Sequence, residues 1–131
     1  MIQRIQSLFL LVATLFLVIA AFVLPVWVET GGVEVFASAN TILKGIIIFA
    51  ALLSLISVFR YSNRKQQLLF SYVTVVSELA AIVCVFLFKT EVFELYGYGF
   101  YALVIAIPFS LLAIRGIKKD DNLIKSVDRI R

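Results

Sequence analysis

Histidine is absent from this chain, and cysteine occurs once, at Cys84 within an apolar run. An intrachain disulfide is thereby excluded, and so are a Cys/His zinc cluster and a Cys/His nucleophile pair. Charge is scarce too: 15% of the 131 residues are Asp, Glu, Lys or Arg, against about 25% in soluble domains. Apolar residues take their place, at 63% of the chain with a mean hydropathy of +1.07. The expectation is a single all-α membrane domain over residues 1–131, since soluble domains are about 45–50% apolar. A net charge of +4 does not point to nucleic acid, because no basic stretch is interleaved with aromatics.

Four apolar runs lie near Ser7 to Trp27, Ile42 to Phe59, Leu68 to Phe88 and Gly99 to Ile114. Each reaches about the 17–25 residues that cross roughly 30 Å of hydrocarbon at 1.5 Å rise per residue. None alternates polar with apolar residues as a barrel strand does, so a four-helix transmembrane bundle is predicted. The first run exceeds the about 7–15 residues of a signal peptide's apolar region and lacks an A-x-A site, so it is read as retained. Pro25 and Trp27 mark its exit.

The charges between the runs divide by sign. Arg4, Arg60, Arg64, Lys65, Arg115, Lys118, Lys119, Lys125, Arg129 and Arg131 fall on one side; Lys44 and Lys89 fall on the other, with Glu29, Glu34, Glu91 and Glu94. The positive-inside rule then predicts that both termini are cytoplasmic.

After the first run, Gly31-Gly32 separates Val28-Glu29-Thr30 from Val33-Glu34-Val35-Phe36. A short external β-hairpin with a two-residue turn is predicted, because glycine tolerates positive φ. The other external loop gathers Phe93, Tyr96, Tyr98, Phe100 and Tyr101 around Gly97 and Gly99. It reads either as an aromatic interface belt with flexible glycines or as an aromatic ligand cage.

Beyond Gly116, the apolar residues Leu123, Ile124, Val127 and Ile130 recur at one face of a helix. A separate amphipathic cytoplasmic helix over about 120–131 is predicted, with Asp120 or Asp121 as its N-cap. Arg4, Arg64, Lys65, Arg115, Lys118, Lys119, Lys125, Arg129 and Arg131 would form one cytoplasmic surface for anionic lipid or a protein partner.

Small residues predict where helices approach: Ala50, Ser54 and Ser57 in run two, Ser77 and Ala81 with Ala80 and Cys84 in run three, and Ala102, Ala106, Ser110 and Ala113 in run four. Helix one, rich in Leu, Phe, Val and Ile, is expected to be the most exposed to lipid or another subunit. Pro108 frees the carbonyl of Val104 within run four.

Glu78 sits ten residues from either end of run three. A charge near the bilayer midplane costs about 3 kcal/mol or more, so Glu78 is expected to face the bundle. Ser71 and Thr74 on its own helix, Ser54 on helix two and Ser110 or the Val104 carbonyl on helix four are its expected polar neighbours. It reads either as an interhelical packing group or as a proton-coupling carboxylate.

Three segments carry a resemblance: Met1-Ile2-Gln3-Arg4-Ile5-Gln6, Asn63-Arg64-Lys65-Gln66-Gln67, and Ile114 to Asp120 continuing through Ser126-Val127-Asp128-Arg129-Ile130-Arg131. With them the whole chain resembles a family of small four-helix membrane proteins of Bacteroidota-type bacteria, known only as a domain of unknown function. The resemblance implies an inner-membrane location and four helices, and no activity.

No catalytic residues, cofactor or metal are expected. The expected function is a non-enzymatic accessory or scaffold subunit of a larger membrane assembly, meeting other subunits at its cytoplasmic face or through helix one. The alternative is a small proton-coupled transporter using Glu78. The small multidrug exporters also have four helices and a central Glu, but in their first helix rather than the third.

Overall fold

The computed structural model describes residues 2–130, with side chains from Ile5 to Val127 and at Arg129. The order is α1 (Ile2–Phe22), β1 (Pro25–Glu29), β2 (Val33–Phe36), a 3-10 turn (Ala37–Ala39), α2 (Thr41–Phe59), α3 (Arg64–Phe88), β3 (Phe93–Tyr96) and α4 (Tyr98–Ile130). All four helices are long and apolar enough to cross a membrane. They form a ring in which each helix packs mainly on its two neighbours, α1 on α2 and α4, and α3 on α2 and α4.

Local chemistry sets the boundaries. α1 stops at Phe22 rather than reaching Trp27, because Pro25 brings no amide hydrogen and disfavours helical backbone in the residue before it. The residues from Pro25 to Glu29 are a strand instead. Asn40 caps α2 by accepting from the amides of Ile42 at 3.1 Å and Leu43 at 3.2 Å. Asn63 caps α3 by accepting from Gln66 N at 3.4 Å, so Arg64 to Gln67 form its first turn rather than a loop.

The sheet has the order β2-β1-β3 and is antiparallel throughout. Gly31 and Gly32 adopt positive φ of 96° and 78°. The hairpin loop has three residues, Thr30 to Gly32, not two, since Glu29 pairs with Val33. Thr30 is drawn out of the ladder because its amide and hydroxyl both donate to Val92 O, at 2.8 and 3.3 Å. The third strand comes from the loop expected to be an aromatic belt. Trp27 pairs with Tyr96 and Val28 with Leu95.

Gly97 and Gly99 serve close approach rather than flexibility. A Cβ at Gly97 would lie 2.2 Å from Pro25 O, and one at Gly99 2.8 Å from the same atom. Only glycine lets the start of α4 cross β1 at this distance.

The small residues of α2, α3 and α4 line the interior: Ala50, Ser54, Ser57, Ser77, Ala81, Ala102, Ala106, Ser110 and Ala113 are buried, while Ala80 and Cys84 are half-buried. α1 corrects the expectation of a peripheral helix. Its 18-residue apolar window is 39% buried, the same share as those of α2 and α4. Leu10, Ala13, Leu17 and Ala20 recur every three or four residues and form a continuous inner face.

α4 holds the largest departure from expectation. It is a single helix of 33 residues running through Pro108 and Gly116, about 50 Å long at 1.5 Å per residue. The predicted separate tail helix is its continuation, and Asp120 is mid-helix rather than an N-cap. Gly116 is no breaker: a Cβ there would come within 2.6 Å of Gln6 Cγ on α1.

Candidate functional site

Glu78 belongs to the inner face of α3, where Ser71, Thr74, Ser77, Glu78, Ala81 and Val85 are buried at helical spacing. It is fully buried. Ser110 Oγ of α4 donates to Glu78 Oε1 at 2.8 Å. Among the described residues the other oxygen, Oε2, has no hydrogen-bond partner. A buried polar oxygen without a partner is uncommon and points to a proton, a water or a ligand to be accommodated.

Of the expected neighbours only Ser110 reaches the carboxyl. The Ser54 hydroxyl crosses to α1 and donates to Leu10 O at 3.0 Å. Thr74 donates back to Phe70 O at 2.9 Å, one turn earlier on its own helix. Serine and threonine in helices readily satisfy themselves on the preceding turn, which removes Thr74 from the constellation. Val104 and Pro108 lie on the exposed face of α4, so the freed carbonyl does not serve Glu78 either. Lys44 is far from this layer in role: its Nζ sits 4.8 Å over the Phe22 ring at the sheet end.

Two further polar layers lie toward the end of the bundle that holds both chain termini. Ser57 of α2 donates to Gln67 O at 3.1 Å and lies 2.9 Å from Ser71 Oγ, which itself donates to Gln67 O at 2.8 Å. One turn further out, Gln6 Nε2 donates to Asp120 Oδ2 at 2.8 Å, and Arg64 Nη1 donates to Asp120 O at 3.1 Å. Gln6 and Asp120 are both buried. This layer ties α1, α3 and α4 together.

Sequence reasoning missed the Gln6, Asp120 and Gln67 contributions. The signal for Asp120 was present: Ala102, Ala106, Ser110, Ala113, Ile117 and Asp120 continue one buried face past Gly116 at steps of four and three.

The expected basic surface divides. Arg64 is engaged with α4, while Lys65 is exposed. Lys118 Nζ sits 5.2 Å over the Tyr72 ring. Arg115, Lys118 and Lys119, with Asn122, Leu123 and Ser126, share one open face of α4. Lys125 pairs with Asp121 one turn earlier, and Arg129 is exposed. The side chain of Arg4, and Arg131 altogether, lie outside the described residues. Leu123, Ile124 and Val127 are 48%, 45% and 58% exposed, so among the described residues the apolar stripe of the tail is left largely open.

At the opposite end the aromatic residues of the β3 segment pack on one another. Tyr96 stacks on Phe100 with centroids 4.3 Å apart, and Phe86 meets both rings edge-on at 5.8 and 6.0 Å. Lys89 Nζ lies 5.1 Å from the Phe93 centroid and 5.8 Å from that of Phe86. The chain's own ammonium therefore occupies this cluster of rings.

Four helices long and apolar enough to cross a membrane, with one small sheet at a single end, define a compact class of mostly helical, membrane-compatible protein. Within it, the chain belongs to the family described as Domain of unknown function (DUF4293), which matches residues 2–130. No curated protein and no solved structure matches the chain.

Proposed function

We propose that this protein is a non-enzymatic scaffold or accessory subunit of the cytoplasmic membrane, with both termini on the cytoplasmic side, that presents the end of α4 to a protein partner. The depth of its layers supports the placement. With Glu78 and Ser110 near the midplane, Asp120 lies ten residues further along α4, about 15 Å at 1.5 Å per residue, which is half of a roughly 30 Å hydrocarbon core. The Gln6, Asp120 and Arg64 layer then closes the cytoplasmic boundary. The sheet closes the other, twelve residues or about 18 Å from Ser110 in the opposite direction.

The observation that carries the reading is the unbroken course of α4 beyond Asp120. Anchored by Gln6 and Arg64, the helix extends its exposed Leu123, Ile124 and Val127 along its own axis, away from the bundle. A helix adsorbed on lipid lies in the plane of the interface. This one continues across that plane, a geometry that favours a partner helix or groove over the lipid surface.

The test is affinity purification from native membranes in mild detergent, in parallel with a Leu123→Asp/Val127→Asp double variant. A stoichiometric partner lost from the double variant is expected. Recovery of only a monomer or self-oligomer sinks the proposal.

A second reading rests on the unpartnered Glu78 Oε2: a carboxyl that carries a proton in a small proton-coupled transporter. Glu78→Gln abolishes proton-linked flux in that case, and an unchanged flux excludes it.

A further inference from the structure

The outward face of the sheet carries a second site, independent of both the tail and Glu78. The register fixes which side chains share a face. Glu34 of β2 pairs with Val28 of β1, and Val28 pairs with Leu95 of β3. Directly paired residues point to the same side, so Glu34, Val28 and Leu95 form one row across the sheet. The adjacent row, Val35, Trp27 and Tyr96, points to the other side, where Trp27 is buried against the helices.

Above the first row, Tyr98 and Tyr101 of the first turn of α4 close a cavity of about 240 Å³ whose lining also includes Val28, Glu34 and Leu95. Both tyrosines are unusually open for their size, Tyr98 at 75% and Tyr101 at 53%. Among the described residues no lysine or arginine forms an ion pair with Glu34. The two lysines of this end are turned elsewhere: Lys44 lies over Phe22, and Lys89 over Phe86 and Phe93.

We propose that this cavity binds the ammonium group of an organic cation, held by the Glu34 carboxylate and the faces of Tyr98 and Tyr101. Three features of the molecule select that chemistry. A carboxylate with no cation of its own supplies the charge. Tyrosine rings attract cations through the negative potential of their faces, and they do so without the hydration that a small metal ion retains. Apolar Val28 and Leu95 complete a lining suited to methyl or methylene groups rather than to a bare ion. The protein already uses this interaction at the same end, where Lys89 Nζ lies over the rings of Phe86 and Phe93. A soluble amine and the headgroup of a lipid both carry this group, and both can reach a site where Tyr98 and Tyr101 sit at the entry of α4 into its apolar span.

The experiment uses the full chain in dodecyl maltoside micelles, which contain no ammonium. Tetramethylammonium chloride is titrated against sodium chloride at equal ionic strength, and the backbone amide shifts of Val28, Glu34 and Gly97 are followed. A second arm titrates dihexanoyl phosphatidylethanolamine. Saturable shifts with a Kd on the order of millimolar are expected from one carboxylate and two partly exposed rings. Saturation by tetramethylammonium identifies a site open to soluble amines; saturation by the lipid alone identifies a headgroup site. In either arm Glu34→Gln weakens binding about fivefold. Tyr101→Leu weakens it about two- to fivefold, and Tyr101→Phe, which keeps the ring, does not. Shifts that follow ionic strength equally in both salts with no response to the lipid, or binding unchanged in Glu34→Gln, overturn the proposal. Both positions are exposed, and unaltered Trp27 fluorescence in each variant shows that the fold is intact.

Discussion

Gln6 on the first helix and Asp120 on the last are joined by a hydrogen bond of 2.8 Å between two buried side chains 114 residues apart. With Arg64 on the Asp120 carbonyl, this contact sets where the bundle ends and where the free part of α4 begins.

Removing one partner leaves the other buried without compensation, at a cost of about 1–3 kcal/mol. Gln6→Leu and Asp120→Leu each lower stability by that amount in reversible unfolding in detergent. The double variant loses less than the sum of the two, because neither orphan remains. Strict additivity in the double-mutant cycle would show that the two side chains do not interact.

Glycine substitutions separate close approach from mere helix propensity. Gly97→Ala drives a methyl to 2.2 Å from Pro25 O, a backbone atom that cannot swing aside, and destabilises by about 2 kcal/mol or more. Gly45→Ala, on α2 with open space around it, stabilises by about 0.5–1 kcal/mol. Thermal midpoints moving in opposite directions verify the pair; a neutral Gly97→Ala would refute the close crossing.

Ser110→Ala removes the hydroxyl that donates to Glu78. Interhelical hydrogen bonds in membranes average about 0.6 kcal/mol, and here both carboxyl oxygens are left bare, so a loss of about 1 kcal/mol is expected by steric trapping in bicelles. Ser54→Ala loses an α1 contact instead, because its hydroxyl is bound to Leu10 O. An additive Ser54→Ala/Ser110→Ala double variant distinguishes two separate layers from one shared site.

Leu123→Asp and Val127→Asp change residues already 48% and 58% exposed, so the stability of the bundle stays within about 0.5 kcal/mol of the parent. Circular dichroism and unfolding of the purified variants check this. A large loss would mean that the stripe packs within the chain.

The four helices are legible in the sequence because each is a long apolar run, and crossing hydrocarbon leaves the backbone few other solutions. The Gly-Gly turn is legible for a similar reason, since positive φ at two successive residues favours glycine. Glu78 declares itself by being the one acid within an apolar run. These features follow from local chemistry. The third strand does not, because Phe93 to Tyr96 becomes a strand only when β1 offers it a free edge. Nor does the role of Gly97, which is set by Pro25 from seventy-two residues earlier. The helix-one interior face, the divergence of Ser54 and Thr74 from Glu78, and the bond from Gln6 to Asp120 all depend on how the helices rotate about their axes once packed. Hydrophobic runs specify that a helix forms and how long it is. Which hydroxyl meets which carbonyl or carboxylate, and which apolar stripe is left uncovered, is decided when four such helices must fill one interior together.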